Sequence, residues 1–303
     1  MPTVGDVREL LDVWTPLALP DSAELRGAST FKSPKPHTVC FVREWTRSSQ
    51  AKAAEFLETL FLVPESQELQ VGSKLSCLPV ANPRLAFGRV VEKLFVPTVE
   101  PYRSPTSVVD GAEIGTGSYI GHGVIVEAGA VVGTGVVIGH NSVIYGNVEI
   151  GNNSVIGCNT TIGGVGFGLE RDADGVPIRI PHVGGVRIGN NVEIGSNCSI
   201  ARGTITDTVL EDHVKLDDQV FVAHNAVIGE GTFLIAGSIT SGSVAIGRRS
   251  WLSPGAVVTN GVTLGDDVLV GLGAVVVSDI PDRSLAVGLP AKVKGENPML
   301  PKA

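Results

Sequence analysis

One histidine and one glycine have the residue types and the spacing that acyl transfer requires. His224 lies in the segment VAHNAVIG, and Gly242 and Asn260 follow it at a constant 18-residue spacing. Transfer of an acyl group from a thioester to an amine needs a base for the amine proton and a donor for the tetrahedral oxyanion. Imidazole accepts protons at neutral pH, and an exposed glycine N–H can be the donor. The spacing therefore predicts an acyl-transfer site, provided that an element with an 18-residue period stacks these residues.

The sequence contains an element with this period, because an aliphatic residue recurs at every sixth position. The series runs through Val108, Ile114, Ile120, Val126, Val132, Ile138, Ile144, Ile150, Ile156 and Ile162, then Ile188, Ile194 and Ile200, and then from Leu210 to Val276, where Thr240 alone departs from it. A six-residue period is typical of a β-solenoid with three flat faces, which has an 18-residue coil. Stacked positions then lie about 4.8 Å apart.

Two further positions of the repeat fit this architecture. Gly, Asn or Asp often follows the aliphatic residue, as a corner with positive φ requires. The fifth position is small or β-branched and can fill a tight interior corner, as at Ser118, Ala130, Ser142, Ser154 and Thr160. Most repeat residues are therefore scaffold, and we expect function to reside in the departures from the pattern.

The longest departure separates Ile162 from Ile188. Residues 163–186 contain glycines and charged residues without the period, which predicts a loop that projects from one corner. Such a loop either covers a site, which is the interpretation we favour, or caps an edge of the solenoid. Asp217 and Asp218, in the coil of His224, are candidates for an acid that orients the imidazole.

Two other stacked sets have competing interpretations. His122, His140 and Cys158 share the 18-residue spacing and could hold a metal, although a solenoid stacks residues by construction, and we predict no metal site. Gly237, Gly255 and Gly273 could leave a slot for a pantetheine arm, or they could simply be turn glycines.

The first 100 residues differ from the repeat. Helix-like patterns at 4–14 and 49–62 and a β-like run at 39–42 predict a small α/β domain, and Pro97, Pro101 and Pro105 mark a linker. The net charge of -8 and the lack of a basic cluster argue against a nucleic-acid partner. Neither a secretion signal nor an apolar run of membrane-spanning length is evident, so we expect a cytoplasmic protein with four reduced cysteines and no membrane insertion.

With these motifs identified, the chain resembles the UDP-3-O-acylglucosamine N-acyltransferases of the hexapeptide-repeat superfamily. The resemblance is most specific at residues 200–229, IARGTITDTVLEDHVKLDDQVFVAHNAVIG, and extends to GVGFG at 164–168, RIPHVG at 179–184 and NPRLAF at 82–87. It implies a left-handed parallel β-helix, a homotrimer with sites between subunits, His224 as general base and the Gly242 N–H as oxyanion donor. It also implies an N-terminal nucleotide-binding domain in which Phe41 stacks on the base, and it places Phe167 of the loop at the substrate.

The sequence departs from this family at three places. Val42, Arg43, Glu44 and Trp45 replace the Asn-Pro-Lys-Tyr run that reads uracil and phosphate, so Arg43 and Trp45 become the candidate nucleotide contacts. No histidine follows His224, and Asn260 is the candidate replacement for the family's second active-site histidine. The segment from Gly288 to Lys292 resembles the ending of acetyl-CoA-dependent sugar acetyltransferases, in which it lies near CoA.

Together these observations predict a mainly β chain with an α/β nucleotide domain at 1–104, a β-helix acyltransferase domain at 105–280 and a closing segment at 281–303. The predicted activity is N-acyl transfer from a thioester, acyl-CoA, to a nucleotide-linked amino sugar of a surface glycan such as an O-antigen, without a permanently bound cofactor. Acyl transfer from 3-hydroxyacyl carrier protein to UDP-3-O-acylglucosamine, in lipid A synthesis, is the alternative. A trimeric metalloenzyme and a non-catalytic trimer are alternatives from other classes.

Overall fold

The computed structural model describes residues 1–65 and 74–298. The chain forms two compact units, of which one ends at Thr98 and the other begins at Val99, whereas the sequence suggested a boundary at 104/105. Residues 299–303 of the predicted closing segment lie outside the described residues. No helix among the described residues is long and apolar enough to cross a membrane.

The first unit is a four-stranded parallel sheet with helices. Its elements are α1 (Val4–Leu11), β1 (Gly27–Ala28), β2 (Thr38–Phe41), α2 (Arg47–Ala53), β3 (Leu60–Pro64), β4 (Ser76–Val80) and α3 (Pro83–Leu94), and the sheet order is β1-β2-β3-β4. Successive residues of β3 enter two separate apolar clusters: Leu60 and Leu62 pack with α1 and α3, whereas Phe61 and Val63 pack with α2. Both faces of the sheet are therefore covered, as parallel sheets require.

The helix predicted at 49–62 is wrong in its second half. The helix ends at Ala53, and the continuous apolar run that begins at Leu60 is a strand buried on both faces. Because such a run lacks the alternation of a half-buried strand, the sequence pattern cannot distinguish it from a buried helix. The strand at 39–42 and the start of the first helix at Val4 are confirmed.

The second unit is a parallel β-helix, which confirms the predicted fold class. Its strands β5 to β34, in chain order, are Tyr102–Arg103, Val108–Val109, Glu113–Ile114, Tyr119–Ile120, Ile125–Val126, Val131–Val132, Val137–Ile138, Val143–Ile144, Val148–Ile150, Val155–Ile156, Thr161–Gly164, Leu169–Arg171, Pro177–Arg179, Val186–Ile188, Glu193–Ile194, Ser199–Ala201, Thr208–Leu210, Lys215–Leu216, Phe221–Val222, Val227–Ile228, Phe233–Leu234, Ile239–Thr240, Ala245–Ile246, Trp251–Leu252, Val257–Val258, Thr263–Leu264, Leu269–Val270, Val275–Val276, Ser284–Val287 and Lys292–Glu296.

These strands form three faces in the described part of the chain. The first face has 11 strands beginning at β5, the second has 9 beginning at β6, and the third has 8 beginning at β7. We call the corner between the first and second faces the first corner, and the corner between the second and third faces the second corner. Strand β34 pairs antiparallel with β33, and the N–H of Ala291 donates to Val275 O at 2.8 Å, so the closing segment covers the end of the coil.

The periodic aliphatic residues fill the interior, with one correction. Ile120 to Val276 along the series are buried, but Val108 is 57% exposed, and Val109 occupies the inward position instead. Only five positions separate Val109 from the next inward residue, Ile114, whereas successive inward residues are six positions apart from Ile114 to Ile162, so the register shifts by one position.

The small fifth-position residues occupy the interior corners, as predicted. The hydroxyl of Ser142 donates to Gly157 O at 2.7 Å and accepts from the Thr160 N–H at 3.1 Å, so it joins two successive coils. The corner backbone adopts positive φ at many Gly and Asn residues, including Asn225 at 59°. Between Gly164 and Val186, strands β16 (Leu169–Arg171) and β17 (Pro177–Arg179) form an antiparallel hairpin, which is the predicted inserted loop.

Candidate active site

The second corner brings His224, Gly242 and Asn260 together, as the 18-residue period predicts. Strand β23 (Phe221–Val222) leads into His224, and β26 and β29 lead into the other two residues. A Cβ built on Gly242 would lie 2.6 Å from Cε1 and 2.8 Å from Nε2 of His224, and 2.7 Å from Oδ1 of Asn260. Only glycine fits between these two side chains, because any Cβ there would overlap both of them.

The Gly242 N–H is free to bind a ligand. At equivalent corners this N–H is capped by a side chain from the next coil, as when the Thr134 N–H donates to Asn152 Oδ1 at 2.8 Å and the Arg248 N–H donates to Asp266 Oδ1 at 2.7 Å. Within the described residues no group accepts a hydrogen bond from the Gly242 N–H. A base and an uncapped donor therefore lie side by side, as the binding of an oxyanion requires.

Asn225, the residue after His224, orients the imidazole. Its Nδ2 donates to Thr206 O at 3.0 Å and its Oδ1 accepts from the Thr204 N–H at 3.1 Å, which fixes the direction of the amide. The same Oδ1 lies 2.9 Å from His224 Nδ1, so Nδ1 must carry the proton and donate it. His224 Nε2 then keeps its lone pair and is the basic nitrogen.

Asp217 and Asp218 do not orient His224. Both lie at the first corner, where Asp218 Oδ1 accepts from the Ser196 N–H at 2.7 Å and Asp217 Oδ2 accepts from the Ala236 N–H at 3.3 Å. Their place, one face away in the same coil, follows from the six-residue face length, and the orienting group is the amide of Asn225 instead.

The inserted loop adds a second imidazole, His182, to the site. The rings of His182 and His224 have centroids 4.9 Å apart and meet edge to face at 75°. His182 is 6% exposed, its Nδ1 lies 2.9 Å from Ile180 O, and its buried Nε2 has no hydrogen-bond partner among the described residues. A Cβ on Gly166 would lie 2.6 Å from this Nε2, so the GVGFG segment passes directly over the ring.

The other inserted-loop candidate, Phe167, is exposed. Its ring is 74% exposed and lies under the guanidinium of Arg179, 5.3 Å from the ring centroid. Arg179 also donates to Gly166 O at 3.1 Å, which links the hairpin to the segment over His182. Phe167 is thus close in sequence to the site but is open for contact with another molecule.

Gly237, Gly255 and Gly273 stack at the first corner, away from His224. Their φ values are 67°, 69° and 59°, so each is a turn glycine. No atom lies within 4 Å of a Cβ built on Gly237 or Gly273, which leaves open space along this corner. Lys292 begins the exposed strand β34.

Phe41 and Arg43 line a cavity of about 660 Å³ in the first unit. It lies at the carboxyl ends of β1 and β2 and is formed by Ala28, Ser29, Thr30, Phe31, Phe41, Val42, Arg43, Glu44 and Phe87. The rings of Phe41 and Phe87 have centroids 5.0 Å apart. Ligands bind at this edge in open parallel sheets.

Trp45 does not line this cavity. It is 4% exposed and packs against Phe61, with ring centroids 6.5 Å apart, in the cluster beside α2. Trp45 points inward after β2, whereas the two preceding residues, Arg43 and Glu44, are exposed.

Two of the three residues in the hypothesis of a metal site, His122 and His140, make other contacts. His140 Nδ1 accepts from the His122 N–H at 2.8 Å, and His122 Nδ1 lies 2.7 Å from Ser104 Oγ. In the described ranges no group of three or more His, Cys, Asp or Glu residues is arranged to hold a metal ion. The four cysteines are free, and burial raises the pKa of Cys40 to about 11 and that of Cys77 to about 12, so these two thiols are poor nucleophiles.

Comparisons with known proteins agree with this architecture. A family model described as bacterial transferase hexapeptide (six repeats) matches residues 129–164, and one described as hexapeptide repeat of succinyl-transferase matches residues 105–140. Among solved structures, LpxA from Acinetobacter baumannii is similar with a TM-score of 0.59 and 24% identity, over 64% of this chain and 74% of that chain. LpxA, a UDP-N-acetylglucosamine acyltransferase from Bacteroides fragilis 9343, is similar with a TM-score of 0.59 and 26% identity, over 65% of this chain and 75% of that chain.

Curated relatives share the name that the sequence resemblance suggested. UDP-3-O-acylglucosamine N-acyltransferase of Shewanella denitrificans is 44% identical over 82 residues, which is 27% of this chain and 24% of the relative. UDP-3-O-acylglucosamine N-acyltransferase 2 of Legionella pneumophila strain Philadelphia 1 is 47% identical over 75 residues, 25% of this chain and 22% of the relative. The chain thus spans about a quarter of the length of the curated relatives it matches. The predicted resemblance to hexapeptide-repeat acyltransferases is confirmed.

Proposed function

We propose that this protein is an N-acyltransferase that moves an acyl group from a thioester to the amino group of a nucleotide-linked amino sugar. The observation that carries the proposal is the pairing of His224 Nε2 with the uncapped Gly242 N–H at one corner. Relatives named acyltransferases support it, as does the cavity lined by Phe41 and Arg43. The substrate, the donor and the role of His224 are parts of this proposal.

The proposed reaction uses His224 first as a base and then as an acid. The substrate amine forms a bond to the thioester carbonyl carbon while His224 Nε2 takes a proton from the nitrogen. The oxyanion accepts a hydrogen bond from the Gly242 N–H, and Asn225 holds Nδ1 of the imidazolium that results. When the C–S bond breaks, the imidazolium returns its proton to the departing sulfur, so the products are an amide and a free thiol.

The nucleotide is proposed to bind in the cavity of the first unit. Phe41 would stack on the base, and Arg43 would contact phosphate, for which guanidinium is well suited. Phe41→Ala should raise the KM for the nucleotide sugar by about 10-fold with little change in kcat. Phe233→Ala, which removes a half-buried ring from the first face, is the control and should change neither constant.

The donor is proposed to be acyl-CoA, with the pantetheine arm along Gly237, Gly255 and Gly273 and with Lys292 near the CoA phosphates. The open space beside two of these glycines and the likeness of residues 288–292 to acetyl-CoA-dependent enzymes support this choice. The names of the curated relatives support UDP-3-O-acylglucosamine as the acceptor of the second candidate. The donor proposed for that candidate is an acyl carrier protein. The cytoplasmic location stays a prediction.

Free-thiol release by the purified protein tests both candidates. Acetyl-CoA and 3-hydroxyacyl carrier protein are offered as donors, with UDP- and dTDP-linked amino sugars as acceptors. We expect release from CoA that falls by about 10²–10⁴-fold in His224→Ala and persists in His140→Ala. Release from the carrier protein alone would support the lipid A reaction, and release that does not depend on His224 in either case would refute the proposed mechanism.

A further inference from the structure

His182 approaches His224 from a different element of the fold. The coil carries His224 at the second corner, whereas His182 lies in the inserted loop after β17 (Pro177–Arg179). The stacked pair at the first corner, His122 and His140, has a similar centroid distance of 5.4 Å, but both of those residues are exposed. At the second corner the added imidazole is buried and leaves His224 half-buried.

The residues after His182 are fixed to the same segment that holds Asn225. The Val183 N–H donates to Thr204 O at 2.8 Å, and the Gly185 N–H donates to Asp207 Oδ1 at 2.7 Å. The Thr204 N–H in turn donates to Asn225 Oδ1 at 3.1 Å. The irregular step between Ala201 and Thr208 therefore connects the ring of His182 with the amide that holds His224 Nδ1.

Asp207 strengthens this connection. Its other oxygen, Oδ2, accepts from Arg187 Nε at 2.7 Å, and this hydrogen bond, with that of the Gly185 N–H, lowers the pKa of the carboxyl group below its usual value of 3.8. The carboxylate is thus ionised near neutral pH. It holds Gly185 and Arg187, where the chain returns from the inserted loop to the coil.

The geometry of His182 favours a contact role over proton transfer. A carbonyl oxygen can only accept, so His182 Nδ1 carries the proton that is donated to Ile180 O, and Nε2 is left as an acceptor. That Nε2 is buried without a donor among the described residues, and Gly166 covers it: a Cβ there would lie 2.6 Å from Nε2 and 3.0 Å from His224 Cβ. Proton exchange between this nitrogen and a substrate is therefore blocked by the loop.

We propose that His182 is a positioning residue, which holds the His224 ring in the rotamer that keeps Nδ1 on Asn225 and Nε2 beside Gly242. The ring of His182 packs edge to face against that of His224 and so limits the rotation of the His224 side chain. The kinetic part of this inference rests on the proposed acyl transfer, whereas its structural part does not.

The kinetic experiment compares ring removal with ring replacement. His182→Ala should lower kcat for thiol release by about 10- to 100-fold and change the KM for the nucleotide sugar less than about 2-fold, because misplacement of the base affects chemistry more than binding. His182→Phe keeps a planar ring without either nitrogen and should recover most of kcat. His140→Ala removes an imidazole stacked at the first corner and is the matched control, with no expected change.

Nuclear magnetic resonance of the imidazole nitrogens gives a readout that needs no activity. The protein has six histidines, and the signals of His224 are assigned as those lost in His224→Ala. We expect a protonated Nδ1 and an unprotonated Nε2 on His224 in the wild type, an arrangement lost in His182→Ala and kept in His182→Phe. Gly166→Ala should displace both rings and reproduce the spectrum of His182→Ala, because the added Cβ would lie 2.6 Å from His182 Nε2 and 3.0 Å from His224 Cβ. The backbone at Gly166 is not in the left-handed region, so alanine adds no strain in φ.

The outcomes separate the two proposals. If the wild type releases no thiol but His224 loses its fixed tautomer in His182→Ala, the acyl-transfer proposal fails and the positioning role stands. The positioning role is refuted if His182→Ala leaves kcat and the His224 signals unchanged. It is also refuted if His182→Phe loses kcat while the His224 signals stay as in the wild type, since Nε2 would then act chemically.

Discussion

Gly242 supplies the proposed oxyanion donor, its N–H, and lies against the ring of His224, where any side chain would push the imidazole away. Gly242→Ala adds a Cβ within 2.8 Å of both Cε1 and Nε2 of His224 without strain in φ, so the imidazole must move away from the uncapped N–H. We expect kcat for thiol release to fall by about 10²–10³-fold, similar to the loss of one oxyanion donor. Steady-state kinetics measures the effect, and KM should change little.

The adjacent Asn260 supplies the control for this prediction. Asn260→Ala removes the other side chain that borders Gly242 and leaves His224 and Asn225 in place, so its effect on kcat should be smaller than that of Gly242→Ala. Thermal unfolding of both variants should stay within a few degrees of the wild type, because this corner is outside the apolar interior. An active Gly242→Ala variant would contradict the assignment of the N–H.

The sequence predicts the role of a residue only where the repeat determines which residues lie beside it. The 18-residue period is sufficient to stack His224, Gly242 and Asn260, because register repeats one coil later along a solenoid. His182 and Asn225 were not identified as site residues, although RIPHVG and VAHN contain them. Their contacts depend on the path of the inserted loop and of the irregular step, neither of which follows the period.

At the scale of elements, polar residues inside the coil are stabilising only when they join successive turns. Thr232 Oγ1 donates to Gly247 O at 2.8 Å and accepts from the Ser250 N–H at 3.0 Å, whereas Thr240 Oγ1 is buried with no partner among the described residues. Thr240→Val should raise the free energy of unfolding by about 1 kcal/mol, because it removes an unpaired buried hydroxyl.

The matched substitution Thr232→Val should lower the free energy of unfolding, the opposite of the effect expected for Thr240→Val. Thr232→Val removes the same hydroxyl where it has two partners, and it leaves a carbonyl and an N–H unpaired, so we expect a loss of about 1–3 kcal/mol. Thermal and denaturant unfolding of the two variants, side by side, measures the difference. Equal destabilisation by both changes would show that the Thr240 hydroxyl has a partner in solution, such as a buried water.

Element boundaries follow the sequence pattern less closely than element types. The series of aliphatic residues predicts the coil, but a corner shortened by one residue exchanges Val108 for Val109 at the interior. The run from Leu60 to Val63 is apolar at every position, so only its packing between two layers decides that it is a strand. Both differences arise where a local pattern is compatible with two registers or two structures.

At the scale of the whole molecule, the outward side chains of the second face form an uncharged stripe. They are Val108, Ile125, Val143, Thr161, Ser199, Phe221, Ile239, Val257 and Val275, whereas the other two faces carry charged residues such as Glu193 and Lys215, or Glu113, Glu149 and Arg187. The stripe borders the corner that holds His224. Burial against further copies of the chain would cover it and would complete a site that one chain leaves half-open.

The uncharged stripe predicts association of copies through the second face, on which activity should depend, and the resemblance stated above predicts that the assembly is a trimer. The double substitution Ile125→Lys with Ile239→Lys places charges at positions that are 40% and 37% exposed in the single chain, and it should give smaller particles in light scattering and a loss of thiol release. Val131→Lys with Val227→Lys alters two third-face positions that are 40% and 38% exposed and should leave the trimer intact. A wild type that is active as a monomer, or equal dissociation by both pairs, would show that the second face is not the interface.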